Sequence, residues 1–238
     1  MSEFQQISQD REAALKGAYE RQRIQLSALL KDGREINGVP KGDYAHPVFG
    51  AGNVCAKTLF IGEAPGREEA ASGTPFVGKA GKQLDALLEL AKISRGEAYV
   101  TNVVKYRPVV YGERSQRNRT PGRQEVLDAL ELLKFEILTI VPRHIVTLGN
   151  TPLKAVLALA DQNMERADGG SKKAAAQEGG FVQTIGAMHG RPVELTIGSN
   201  PMILFALYHP ASGIYNPSLV PVMKTDILAL GEHLVKAQ

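Results

Sequence analysis

Thr58-Leu59-Phe60-Ile61 runs into Gly62-Glu63-Ala64-Pro65-Gly66-Arg67-Glu68-Glu69-Ala70-Ala71-Ser72-Gly73-Thr74-Pro75-Phe76-Val77-Gly78-Lys79-Ala80-Gly81-Lys82-Gln83-Leu84. How this junction is read decides the fold. A short apolar run of this kind predicts a strand buried on both faces. A glycine–proline cluster ends it. Leu84, Leu87, Leu88 and Ala91 then recur at helical spacing and predict a helix over 81–93. Three more apolar runs end in the same way. Residues 98–100 lead into Thr101-Asn102-Val103-Val104-Lys105, 145–148 into Gly149-Asn150-Thr151-Pro152, and 202–207 into Tyr208-His209-Pro210-Ala211-Ser212. Strands alternating with helices predict an α/β fold: three layers, doubly wound, around a four-stranded, mainly parallel sheet with right-handed crossovers. In open sheets of this kind ligands bind beyond the carboxyl ends of the strands. Glu63, Asn102 and His209, far apart in sequence, are therefore expected to be neighbours.

The rest of the chain fits around that sheet. Its 238 residues are 43% hydrophobic and 22% charged, which suits one globular domain spanning 1–238. With 28 Lys and Arg against 25 Asp and Glu, the net charge of +3 permits nucleic-acid binding without requiring it. Leu15, Ala18, Tyr19, Ile24, Leu26, Leu29 and Leu30 predict an amphipathic leading helix over 8–32. Thr120-Pro121 reads as the opening of a long helix reaching Ile140, with shorter helices over 152–160 and 220–235. Residues 107–123 read as a loop rich in arginine, 161–180 as a mobile insertion, and 181–197 as a small hairpin. One cysteine, Cys55, excludes an intramolecular disulfide and any thiolate cluster; as a small hydrophobe before the first strand it reads as a packing residue. No apolar stretch nears the ~20 residues that span a bilayer. The polar, partly acidic start resembles neither a secretory nor a transit segment, so a cytoplasmic protein is expected.

Gly73-Thr74-Pro75-Phe76-Val77-Gly78-Lys79-Ala80 approaches the phosphate-binding loop of nucleoside triphosphatases and fails where the chemistry lies. Position 80 should carry a hydroxyl for Mg²⁺ and carries Ala80, and Pro75 has no N–H to offer a phosphate. Taken with what precedes it, the same segment resembles the first motif of the family 4 uracil-DNA glycosylases. The resemblance continues in Thr101-Asn102-Val103-Val104-Lys105-Tyr106-Arg107-Pro108, in the segment 142–150, and in Tyr208-His209-Pro210-Ala211-Ser212. Val48-Phe49-Gly50-Ala51-Gly52-Asn53 adds to it, and the four motifs occur in order across about residues 45–230.

That resemblance implies a monofunctional base-excision repair glycosylase, one that hydrolyses the N-glycosidic bond of uracil in single- or double-stranded DNA after flipping the base from the stack. It implies DNA as the partner; a monomer without membrane association is the expectation for this chain. A glycosylase for another deaminated base, hypoxanthine or xanthine, and a catalytically weak DNA-binding relative are the alternatives. Members of the family typically hold a [4Fe–4S] cluster on four cysteines: two before the first motif, one within the second and one in the helix that follows. Here Tyr106 stands at the third position and the chain has one cysteine, so no cluster and no other cofactor or metal is expected.

By the resemblance, and by their own chemistry, the residues divide the task. Uracil leaves as an anion while positive charge builds on the sugar, so the site needs donors at the uracil oxygens and a placed water. Asn102 carries a donor and an acceptor that match uracil O4 and N3–H, the reverse of what cytosine presents. His209 is expected to donate to O2, and Glu63 to orient the water or steady the sugar cation. Family 1 enzymes place an Asp where this chain has Ala64. Gly62, Ala64, Phe76 and Asn102 are expected to bind the base, with Phe76 as its stacking platform. Contacts to DNA are expected from Pro65, Gly66, Lys79, Lys105, Arg107, Arg191 and the Ser212-Gly213-Ile214-Tyr215 loop, where Ile214 or Tyr215 would wedge into the vacated stack.

Overall fold

The computed structural model describes residues 2–31, 42–111, 116–167 and 184–236. The strands Thr58–Gly62 (β3), Ala98–Asn102 (β4), His144–Leu148 (β7) and Asn200–Leu207 (β9) run parallel in the order β4-β3-β7-β9. They are the four strands expected from the sequence, each extended by one to two residues. Two edge strands flank them antiparallel, Ala51–Gly52 (β2) beside β4 and Pro192–Ile197 (β8) beside β9, so the sheet has six strands.

Alternation along the central strands divides the core. Leu59, Ile61 and Ile145 face one side. There they meet Leu15 of the helix Glu3–Lys31 (α1), Leu133, Ile137 and Ile140 of Arg123–Ile140 (α4), and Leu153 and Val156 of Asn150–Ala167 (α5). Phe60, Val100, Val146 and Phe205 face the other side. They meet Leu84 and Leu88 of Lys79–Leu90 (α3) and Ile227 and Leu230 of Leu219–Lys236 (α8). Helices on both faces of a mainly parallel sheet make the three-layer, doubly wound arrangement.

Four local expectations are corrected. Helix α4 begins at Arg123, not at Pro121, because the Glu125 carboxylate accepts the Gly122 N–H and so fixes Gly122 as the N-cap. The stretch 107–123 is not a bare loop. Arg107–Tyr111 (β5) and Gln116–Asn118 (β6) pair antiparallel, and Gly42–Asp43 (β1) adds to β5. Residues 161–167, read as the start of the insertion, continue α5; residues 168–180 lie outside the described residues. The hairpin expected within 181–197 is instead a short helix, Ile185–Met188 (α6), followed by β8, which pairs with β9 across a left-handed Gly198 (φ 65°). Residues 181–183 of that stretch lie outside the described residues.

No helix among the described residues is long and apolar enough to cross a membrane.

Candidate active site

The carboxyl ends of β3, β4 and β9 open on one cleft of about 330 Å³. Glu63 and Ala64 enter it from the end of β3, Asn102 from the end of β4, and His209 from just beyond β9. Phe76 lines it from the loop between Arg67–Ser72 (α2) and α3. The parallel pairing that sets Gly62 beside Asn102 brings the first two together. Gly62 stands behind the wall: a β-carbon there would lie 2.4 Å from both Asn102 Oδ1 and the Phe76 ring. Only glycine lets the amide and the phenyl ring close over the strand end.

Two of its polar groups are oriented by the protein, and a third is left free. Asn102 is 3% exposed, yet its side-chain amide makes no hydrogen bond to the protein among the described residues. A buried amide without partners, lining a cleft, is ready for a ligand that supplies both a donor and an acceptor. The Thr151 hydroxyl donates to Glu63 Oε2 at 2.6 Å, which fixes the carboxylate and leaves Oε1 for another donor. His209 Nδ1 accepts the Ala211 N–H at 3.2 Å. A neutral ring in that bond carries its proton on Nε2, and burial pulls the His209 pKa below its ordinary value despite the nearby Glu69 carboxylate. The imidazole is thus neutral at physiological pH and a donor at Nε2.

The residues expected at DNA divide in two. Pro65, Gly66, Lys79 and Tyr215 line the cleft. Ser212–Tyr215 forms a one-turn helix (α7) beside it, with Ile214 48% and Tyr215 87% exposed. Arg191 is exposed at the start of β8 and donates to the Ala187 carbonyl.

Lys105 and Arg107 are corrected. Lys105 is buried; its ammonium donates to the Asn102 carbonyl, Thr101 Oγ1 and Glu136 Oε2. Burial lowers its pKa and the Glu136 carboxylate opposes that fall. A lysine enclosed in this way braces the strand end behind Asn102 and does not reach a phosphate. Arg107 is buried as well, and its Nε donates to Asn118 Oδ1. It supports a residue of the cleft wall from behind. The Gly66 amide, expected to face a ligand, is taken by Glu69 Oε2 at 3.0 Å.

Sequence reasoning missed several contributors. Glu69, 8% exposed, also accepts the Gly78 N–H at 2.8 Å and so ties Gly66 to Gly78 across the first motif. Its place three residues after Gly66, where a Glu side chain can reach back to the amide of the N-cap, is a signal that could have been read. Pro108, Asn118 and Arg119 close the cleft from the β5–β6 hairpin, and nothing in their local pattern predicts this.

The iron–sulfur cluster does not fit this chain. It requires about four thiolates, and the protein has Cys55 alone, half-buried before β3. At the expected third ligand position the Tyr106 hydroxyl instead donates to Glu125 Oε1 at 2.8 Å and its ring meets Tyr44 edge-on at 4.6 Å. Glu125 also accepts both terminal nitrogens of Arg119, so one carboxylate joins α4 to the hairpin at the cleft. Burial pushes the Glu125 pKa up, but Arg119, the Gly122 N–H and Tyr106 together hold it below its ordinary value. Among the described residues no three His, Cys, Asp or Glu side chains gather as a metal site.

A doubly wound α/β protein whose cleft joins a free amide, a neutral imidazole, a carboxylate and an aromatic ring is one built around a flat, polar heterocycle. The chain belongs to the uracil DNA glycosylase superfamily, whose model matches residues 49–230. It is similar to the type-4 uracil-DNA glycosylase of Saccharolobus solfataricus, 34% identical over 188 residues that cover 79% of this chain and 76% of the relative. The type-4 uracil-DNA glycosylase of Archaeoglobus fulgidus is 32% identical over 80% of this chain and 83% of its own length. That of Thermotoga maritima is 42% identical over 44% of this chain and 52% of its own length.

Proposed function

We propose that the protein is a monofunctional uracil-DNA glycosylase that removes uracil from DNA by hydrolysis, without a metal or organic cofactor. Family membership and the relatives' names support the reaction class. The observation that carries the base assignment is the buried, unpartnered Asn102 amide beside Phe76. In this reading uracil leaves the stack and lies on the Phe76 ring. The Asn102 side chain donates to O4 and accepts from N3–H. Cytosine, with its donor and acceptor exchanged, would set like against like in a buried pocket, a costly mismatch.

Cleavage separates charge. The C1′–N1 bond breaks with its electron pair passing to the base, where His209 Nε2–H donates to the developing charge on O2. The neutral imidazole is already aimed by the Ala211 N–H, so this stabilisation needs no reorganisation. The sugar becomes an oxocarbenium ion, which the Glu63 carboxylate steadies from close by. Thr151 occupies one oxygen of that carboxylate; the other holds the water that adds to C1′. As its oxygen adds to C1′, the water gives up a proton through the Glu63 carboxylate, and that proton ends on the uracil anion, which leaves as neutral uracil. Ile214 or Tyr215 fills the vacated stack, and Lys79 meets a backbone phosphate at the cleft rim.

A panel of oligonucleotides, each with a single modified base, tests this. After incubation and alkali, the strand containing uracil is expected to be cut at the modified position, in single- and double-stranded form. Cutting at hypoxanthine in place of uracil would reassign the base. Intact strands throughout, at high protein concentration, would leave a DNA-binding relative without catalysis.

A further inference from the structure

Phe76 has a backbone conformation that phenylalanine rarely takes. Its φ is 57°, in the left-handed region that glycine favours. It is 5% exposed, and its ring lies against Gly62 at the end of β3. Such a conformation persists only where its surroundings hold it. The holding contacts come from a residue outside every motif. Arg95, in the short 3₁₀ turn Arg95–Glu97 before β4, directs Nη2 at two successive carbonyls, Pro75 O at 3.1 Å and Phe76 O at 2.9 Å. Its Nη1 is paired with Asp85 of α3. The same Phe76 carbonyl leans on the first turn of α3 so closely that a β-carbon at Gly81 would lie 1.9 Å from it.

The geometry points to Arg95 as a positioning residue for Phe76: one planar guanidinium fastens the carbonyls on either side of the ring's backbone to the helix that follows, and so sets the height and tilt of the base platform. This rests on the reading of Phe76 as the surface on which the flipped base lies. Two carbonyls and a carboxylate served from one fork need the fixed donor geometry of arginine, which a lysine ammonium lacks. Without the fork, the left-handed turn is free to relax and the ring to leave Gly62.

The test uses Arg95→Ala, Arg95→Lys and Phe76→Ala in the full chain. In a crystal structure of Arg95→Ala, Phe76 is expected to have left positive φ, with the fold otherwise intact. On a uracil oligonucleotide, Arg95→Ala is expected to lose kcat/KM by about tenfold to a hundredfold, the range that misplacement of a binding group produces. Arg95→Lys is not expected to restore it. In a Phe76→Ala background, Arg95→Ala is expected to cost almost nothing more, because its effect passes through the ring. Phe76 unmoved in the Arg95→Ala crystal overturns the proposal whatever the enzyme's activity. So does an Arg95→Ala loss of equal size with and without the Phe76 ring, or full rescue by lysine. If the unmodified protein releases no uracil, the functional reading fails, while the crystal structure still decides the role of Arg95.

Discussion

His209 can act as a donor from Nε2 because Nδ1 is occupied by the Ala211 N–H. Protonation would put a second hydrogen into that contact, donor against donor. Since burial depresses its pKa below the ordinary 6.5 or so of histidine, kcat/KM should stay level as pH falls from 8 through 6.5. It should drop only at lower pH, as Nδ1 gains its proton. A pH–rate profile breaking above 6.5 would contradict this. Asn102 carries the second residue-scale prediction. Asn102→Asp replaces a donor with a carboxylate oxygen facing uracil O4, so kcat/KM on uracil should fall about a hundredfold, the cost of losing one fixed donor. Selectivity over cytosine should narrow, as read by excision from paired oligonucleotides differing in that base. At this scale the sequence was most informative where a polar residue ended a strand. Glu63, Asn102 and His209 could be placed together from strand order alone. Lys105 was misread because a lysine in a polar cluster looks exposed; only the folded chain brings Glu136, 31 residues away, to its ammonium. Arg95 was illegible for the converse reason: its pairing with Asp85 looks like an ordinary surface ion pair, and its contacts to the Pro75 and Phe76 carbonyls leave no mark on residue type.

Among the elements, the hairpin β5–β6 departs furthest from its expected form. Its arginines suggested a loop open to phosphate, yet Arg107 and Arg119 are engaged by Asn118 and Glu125. Among its described residues the hairpin has few buried apolar side chains of its own, Val109 being one. Its position at the cleft therefore depends on the Glu125 junction, where Arg119, Tyr106 and the Gly122 amide meet one carboxylate. Glu125→Ala removes a carboxylate shared by Arg119, Tyr106 and the Gly122 amide. Breaking such a buried pair costs about 3 kcal/mol, which for a chain of this size lowers the melting temperature by roughly 6–12 °C. Thermal unfolding monitored by circular dichroism checks this, and an unchanged midpoint would contradict it. The central strands and helices, by contrast, were legible because apolar period alone specifies them. Their ends moved by a few residues where caps such as Gly122 decided them.

Across the whole molecule, α1 lies ahead of the family-matched region and still reaches the site's foundations. Its Tyr19 hydroxyl donates to Glu136 Oε1 at 2.6 Å, on the same carboxylate that accepts from Thr101 and Lys105. Burial, and then the Glu136 charge, hold the Tyr19 phenol protonated far above its ordinary pKa. A chain of contacts thus runs from α1 through Glu136 and Lys105 to the carbonyl of Asn102. Tyr19→Phe removes one donor from a buried carboxylate, at a cost of about 2 kcal/mol. The melting temperature should fall by roughly 4–8 °C; no change would show that α1 only covers the sheet. The amphipathic spacing of α1 was legible in the sequence, but its tie to Glu136 was not, because that contact spans 117 residues. On this reading, distant strand ends form one pocket for uracil. The most direct measurement is a crystal structure of the protein with a DNA strand carrying a non-hydrolysable deoxyuridine analogue. The base should lie flat on Phe76, with O4 and N3–H at the Asn102 amide, O2 at His209 Nε2, and Glu63 beneath the sugar. A base held elsewhere, or left stacked in the helix with this cleft empty, would contradict the account.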